Sequence, residues 1–210
     1  MGDPNSTMIF SIDPGIVNVG VALYDYANKK VVFSGKLTLA PSLKAMASES
    51  EIVPRVFKLF FDDKNSPYKK MINNSKIVLI ENQMKRKMLL VQHSIASFCF
   101  AGNIDYKMVD PRSIKSHFDI GAYARKKAGV AVKGNKNNHG ANKKMAIVKI
   151  QEICPGIFTN VSITKQDDMA DSLLQAIWYG DNILGIKRPK SAPIVAPVKR
   201  KKRKRSTIKK

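Results

Sequence analysis

Acidic residues at three places in the chain stand directly beside apolar runs. Asp13 closes the run Met8-Ile-Phe-Ser-Ile and is followed at once by Pro14-Gly15. Glu81 closes Ile77-Val-Leu-Ile, and Asp167, Asp168 and Asp171 stand just ahead of Leu173-Leu-Gln-Ala-Ile177. Near-continuous runs of β-branched and aromatic residues read as strands buried on both faces. An acid directly after such a run lies at the rim of a core, where carboxylates are rare unless they are paired or bind a cation. On a helix, residues three and four apart share a side, so Asp171 lies beside Asp167 and Asp168 while Ala170, Leu173, Leu174 and Ile177 line the other face. Asp13 and the acids at 167–171 also have plainer explanations: a turn cap or phosphate loop after Asp13, favourable first-turn charge for the helical acids. Together they form a set of hard oxygen donors suited to Mg²⁺ or Mn²⁺. Two such ions about 3.5–4 Å apart can activate water and stabilise the leaving oxygen in phosphodiester hydrolysis. No Ser-His-Asp or Cys-His arrangement competes.

The elements that must position these acids are readable in order. Pro14-Gly15 breaks the first strand, Val17 to Tyr26 resumes as a second, and Ala27-Asn28-Lys29 suits a tight turn into a third strand over 30–38. Apolar residues from Pro41 to Phe61 recur at helical spacing, with Pro54 as a possible interruption. Asp62 to Pro67 reads as a loop. A fourth strand ends at Glu81, a helix follows from about Met84 to Ala101, and Ile104 to Asp110 is a fifth strand. Pro111 then opens a helix at the position where proline is favoured. His93 falls within the 84–101 helical pattern. Ala141 to Ile153 reads as a helix with Lys143 and Lys144 in its first turn, where cations oppose the helix dipole and an anion is therefore expected. The last helix is expected to begin at Asp167.

Composition narrows the partner. The 210 residues, 44% hydrophobic, can bury a full core in one domain. The formal net charge is +21, and the stretch from Lys187 to the end holds twelve Lys or Arg and no acid. Setting that stretch aside still leaves 25 basic residues against 16 acidic ones. From Arg112 to Lys149 there are ten Lys or Arg and a single acid, Asp119. A basic body of this kind points to a polyanion, most simply nucleic acid, with an anionic membrane surface as the weaker alternative. Cys99 and Cys154 fit neither a disulfide framework nor a zinc site, which suggests a reducing, intracellular compartment. No segment reaches the roughly 20 apolar residues of a membrane span. Met1–Thr7 resembles a cloning-vector scar, so a domain over 8–186 and a disordered basic tail over 187–210 are expected.

Ile12-Asp13-Pro14-Gly15 followed by Gly20-Val-Ala, then Ile80-Glu81-Asn82-Gln83, then Asp168-Met-Ala-Asp171-Ser-Leu resemble, in this order, the motifs of the ribonuclease H-like superfamily, and within it the RuvC-type Holliday-junction resolvases. Gly140-Ala-Asn-Lys143-Lys144 is similar to the lysine-bearing helix start before that family's last motif. The resemblance spans Met8 to Trp178, and the short chain, basic loop and basic tail are most similar to the poxvirus branch. It implies an α/β fold with a mixed five-stranded sheet, an antiparallel meander of three strands plus two parallel strands, flanked by helices. It further implies a homodimer that resolves four-way DNA junctions by paired nicks, during resolution of viral concatemers, using two Mg²⁺ ions per site with Mn²⁺ as a substitute. Asp13, Glu81, Asp168 and Asp171 would be the metal ligands, and Asp167 an additional acid that could share a metal. Lys143 or Lys144 would be the catalytic or phosphate-contacting lysine, with Lys143 favoured and Lys144 on the flanking backbone. Arg112, Lys115, Lys133, Lys136 and Lys144 are the expected DNA contacts. A poxviral protein would work in the cytoplasm of the infected cell, while the tail is also compatible with nuclear targeting. Asn82 to Met88 offers no aromatic wedge of the sort bacterial relatives insert into a junction. The rival readings are a ribonuclease acting on RNA:DNA hybrids with the same site, and a basic DNA-binding protein without catalysis. Sugar-kinase and actin-like ATPases, which open with a similar hairpin, need a second Gly-rich phosphate motif that this chain lacks.

Overall fold

The computed structural model describes residues 6–42, 48–62, 64, 66–121 and 135–185, with residues 135–139, 163 and 164 in backbone only. Five strands build one sheet in the order β3-β2-β1-β4-β5. β1 (Met8–Asp13), β2 (Asn18–Asp25) and β3 (Lys30–Thr38) form an antiparallel meander. β4 (Ile77–Glu81) runs parallel to β1, and β5 (Tyr106–Val109) parallel to β4. The turn between β2 and β3 is held by Asp25, whose carboxylate accepts from the Ala27 and Asn28 N–H groups, both at 3.1 Å, and from Asn28 Nδ2 at 2.7 Å. Lys29 takes the positive φ that closes the turn.

Side chains alternate across a strand, so the sheet has two separately packed faces. Phe10, Ile12, Val19, Val21, Leu23, Val78 and Ile80 point to the side covered by α1 (Ile52–Phe60) and α3 (Arg86–Ala101). Ile9, Ala22, Tyr24, Leu79 and Val109 point to the other, against α4 (Pro111–His117), α5 (Asn135–Ile153) and α6 (Ile163–Asn182). A short helix, α2 (Tyr68–Asn73), packs its Ile72 into the first core. Burying each Ile, Leu or Phe is worth about 1.5–3 kcal/mol, so the two cores hold the sheet's rim rigidly. By the same alternation Asp13 and Glu81 share the face of Ile9 and Leu79, toward α6.

Several expected boundaries shift, each for a local reason. Pro41 and Ser42 lie outside any helix; over the described residues the helical stretch begins with a 3₁₀ turn at Glu49–Glu51, where Ser48 Oγ accepts from Ser50 N at 3.3 Å. Pro54 then falls in the first turn of α1, where its missing N–H costs nothing. Leu43, Met46 and Ala47 lie outside the described residues. α2 is helical where the sequence offered no clear signal. The fifth strand is shorter than Ile104–Asp110 because Asp110 leaves it to cap α4, its carboxylate accepting from Arg112 N at 2.8 Å. α5 starts at Asn135, which puts Lys143 and Lys144 beyond its first turn, so the helix-dipole argument for an anion beside them does not apply. α6 starts at Ile163, four residues before Asp167, so first-turn helix chemistry does not explain its acids either. Lys133 and the tail over 187–210 lie outside the described residues, as does the side chain of Lys136.

Candidate active site

The parallel pairing of β1 and β4 runs from Ile9 with Ile77 to Ile12 with Ile80, so Asp13 and Glu81 are the next residues on adjacent strands, both at the carboxyl end. Ligands of open α/β sheets bind beyond these ends. A third acid at the same rim, Asp110 after β5, is already committed: besides capping α4 it is held by Arg112, whose Nη2 lies 2.8 Å from Asp110 Oδ2. α6 crosses the sheet over β2 and β1, anchored by the fully buried Gln175, whose Nε2 donates to Ile12 O at 3.5 Å. It comes so close that a Cβ on Gly20 would overlap the Asp168 carbonyl oxygen. Gly20 pairs with Asp13 on one side and Lys36 on the other. The missing side chain at Gly20 therefore lets α6 bring Asp167, Asp168 and Asp171 down beside Asp13.

The electrostatics show how strongly these acids sense one another. Burial pushes the Asp13 carboxyl well above its ordinary value, and the charges of Glu81, Asp171 and Asp168 push it further, with Lys143 opposing. Burial, then Asp171, raises Glu81 to about 7 against the pull of Lys115 and the Gln83 amide. Burial likewise raises Asp171 to about 6 although Lys115 and Lys143 draw it down. For Asp167 burial works upward, but the Lys143 hydrogen bond and charge carry it below the usual range. Such convergence of acids against desolvation makes this rim strongly favourable for positive charge.

Cations from the chain itself now occupy part of that demand. Lys143 Nζ lies 2.5 Å from Asp167 Oδ2 and 3.6 Å from Asp168 Oδ1, and Lys36 Nζ lies 2.8 Å from Asp168 Oδ2. Gln83 Nε2 donates to Asp13 Oδ1 and to Glu81 Oε1, each at 3.3 Å. With the carboxylates turned this way, no three His, Cys, Asp or Glu among the described residues close into a metal-holding group. The donor set still suits a hard divalent ion in type and number: four half-buried acids, oxygen-only, three of them held above their ordinary values. Asp13, Glu81, Asp168 and Asp171 are the residues that could hold it.

The solved structures that match include Thermus thermophilus RuvC in complex with Holliday junction substrate and Thermus thermophilus RuvC by itself, each at 14% identity and a TM-score of 0.50, covering 83% of this chain and 95% of theirs. The fold is RuvC-like. No family model and no curated protein matches the chain. Within this RuvC-like fold the acids singled out from the sequence are brought together with Lys143, while Lys144 is exposed. Lys115 is half-buried on α4, where its charge acts on Glu81 and Asp171. The Arg112 side chain is 90% exposed and paired with Asp110. His93 is exposed on α3, and Cys99 is buried, its thiol pushed up to about 12 by burial. No helix among the described residues is long and apolar enough to cross a membrane.

Two contributors were missed in the sequence. Nothing along the third strand distinguishes Lys36, and only the register Asp13–Gly20–Lys36 across three strands puts it on the site's face. Gln83 passed as part of a motif, although its position just past a buried strand that ends in Glu81 was a usable signal.

Proposed function

We propose that the protein is a metal-dependent nuclease that cuts branched DNA, with four-way junctions as its substrate. The observation that carries this reading is the gathering of Asp13, Glu81, Asp168 and Asp171 at the carboxyl ends of β1 and β4 under α6, where burial and mutual repulsion raise three of them. A pair of bound Mg²⁺ ions would supply an activated water and stabilise the leaving oxygen of the phosphodiester. Asp13 and Glu81 would hold such ions from the rigid sheet rim, and Asp168 and Asp171 from the helix. Lys143, now engaged with Asp167 and Asp168, stands ready to donate from Nζ to a phosphate oxygen once those carboxylates turn to another cation. Lys36 can do the same from the β3 side. Arg112, Lys115 and Lys144 would contact the flanking strands, and the basic excess of the chain favours phosphate contact over base reading.

The RuvC structure of similar fold that holds a Holliday junction supports branched DNA as the ligand. Paired nicks in opposed strands need two sites, so the working form is a homodimer. The resemblance to the poxvirus branch suggests resolution of viral DNA concatemers as the setting.

The test is cleavage of matched four-way junction, duplex and RNA:DNA hybrid substrates in Mg²⁺. Symmetric nicks in the junction are expected. Asp13→Asn, Glu81→Gln, Asp168→Asn and Asp171→Asn should each lose cleavage by roughly 10²-fold or more while still binding the junction, because affinity comes from Lys and Arg. Hybrid cleavage without junction cleavage would turn the reading to a ribonuclease, and full activity in these variants would overturn it.

A further inference from the structure

We infer that Gln83 is a positioning residue for the metal site: its side-chain amide bridges Asp13 and Glu81 when no cation is bound and competes with the cation for them. The inference rests on the reading of these two acids as metal ligands. Gln83 Nε2 lies 3.3 Å from Asp13 Oδ1 and 3.3 Å from Glu81 Oε1. A primary amide carries two N–H hydrogens, one for each carboxylate, and two acceptor partners favour its nitrogen on that side. The bridge therefore spans β1 and β4 at the rim where the two acids meet.

The contact is built rather than incidental. The Gln83 backbone N–H donates to Gln92 Oε1 at 2.6 Å, and Gln92 is only 3% exposed on α3. A buried side chain of one helix thus fixes the point from which the Gln83 side chain reaches back to the acids. A neutral donor between the two carboxyl groups fills the lone pairs that face the gap but carries no charge to offset the repulsion that grows as both ionise. A divalent ion seeks the same lone pairs and cancels the charge as well. An ion that takes Asp13 Oδ1 and Glu81 Oε1 would displace the amide hydrogens from them, so metal binding at these two oxygens breaks both bonds and turns the amide away. Gln83 thereby keeps the carboxylates in place in the metal-free protein and sets how much ion is needed to fill the site.

The sign of this effect makes it testable. Gln83→Met keeps the side-chain length without donors, and Gln83→Asn keeps the amide but stops one methylene short. Gln83 is half-buried in a connecting segment, so both variants should fold. Titration calorimetry of the full chain with Mn²⁺ is expected to give about three- to tenfold tighter binding in both, as loss of two long hydrogen bonds from the metal-free state allows. Melting temperatures should drop in EDTA yet rise more on adding Mn²⁺ than in wild type. A merely structural role would lower stability without tightening the metal. Unchanged or weaker Mn²⁺ binding in Gln83→Asn and Gln83→Met, with binding lost in Asp13→Asn and Glu81→Gln, overturns the role of Gln83 alone. Absence of Mn²⁺ binding in the wild type overturns this inference and the metal-site reading together.

Discussion

Metal-free protein should lose stability as the pH rises from 5 to 8, against the usual behaviour of carboxylates. Burial first, then repulsion from Asp171, raises Glu81 from 4.5 to about 7, and burial raises Asp171 from 3.8 to about 6. A carboxyl with a higher pKa folded than unfolded keeps its proton longer in the folded state. Between the two values the folded protein binds more protons, so stability falls as the pH rises through the folded values, and Asp13, also raised well above its ordinary value, adds to the fall in the same direction. At about 1.4 kcal/mol per tenfold change in proton affinity, ionising Glu81 costs about 3 kcal/mol, and Asp171 about the same. The two repel one another, and solvent reaches both half-buried groups, so a total of about 3 kcal/mol is expected rather than the sum. For a domain of this size that corresponds to roughly 6–12 °C in melting temperature. Asp25 and Asp167, held below their ordinary values, lose their contribution only as the pH falls below about 4 and do not interfere. Calorimetric melts in EDTA at pH 5 and pH 8 measure the difference, and Mn²⁺ at pH 8 should reverse it. Glu81→Gln should flatten much of the profile. A melting temperature that stays level or climbs from pH 5 to 8 in EDTA, or a Glu81→Gln profile as steep as wild type, would refute the reasoning.

Gly20→Ala places a Cβ within 2.8 Å of the Asp168 carbonyl carbon, and backbone cannot swing aside, so α6 must lift. We expect about 1–3 kcal/mol of destabilisation in urea melts, together with weakened Mn²⁺ binding; a variant with wild-type metal affinity would show that α6 does not need that approach. Lys143→Ala should slow single-turnover cleavage at saturating protein by roughly 10²-fold, whereas exposed Lys144→Ala should lose only DNA affinity. Equal rates in the two variants would remove the distinction. Lys36→Met leaves Asp168 without its nearer cation in a cluster of acids and should lower stability by more than the about 1 kcal/mol of an exposed pair, while slowing cleavage less than Lys143→Ala.

Much of the frame was legible because it follows from local pattern. The runs before Asp13 and Glu81 had to be strands, their acids had to fall at strand ends, and the short turns made a three-strand meander, while the mixed sheet with two parallel strands was implied by the family resemblance. The limits of α5 and α6 were less legible, since polar residues such as Asn135, Asn137, Lys165 and Gln166 carry no apolar period to mark a helix already under way. That error mattered: it suggested a dipole role for Lys143 and Lys144 that their place well inside α5 does not support, while the ion pair of Lys143 with Asp167 depends on how two helices pack and has no trace in spacing.

The contributions hidden from the sequence share one physical origin, which is cross-strand and cross-layer register. Lys36 reaches Asp168 because β2 puts a glycine, and not a side chain, between it and Asp13. Read along the chain, Gly20 is a residue of a hairpin strand; read across the sheet, it is the opening through which α6 descends and Lys36 faces the acids. A larger residue there would separate Asp168 from Asp13 and Lys36 at once. The glycine therefore determines both how close the acids come and which lysine answers their charge, and that coupling is why neither could be inferred from the acid motifs alone.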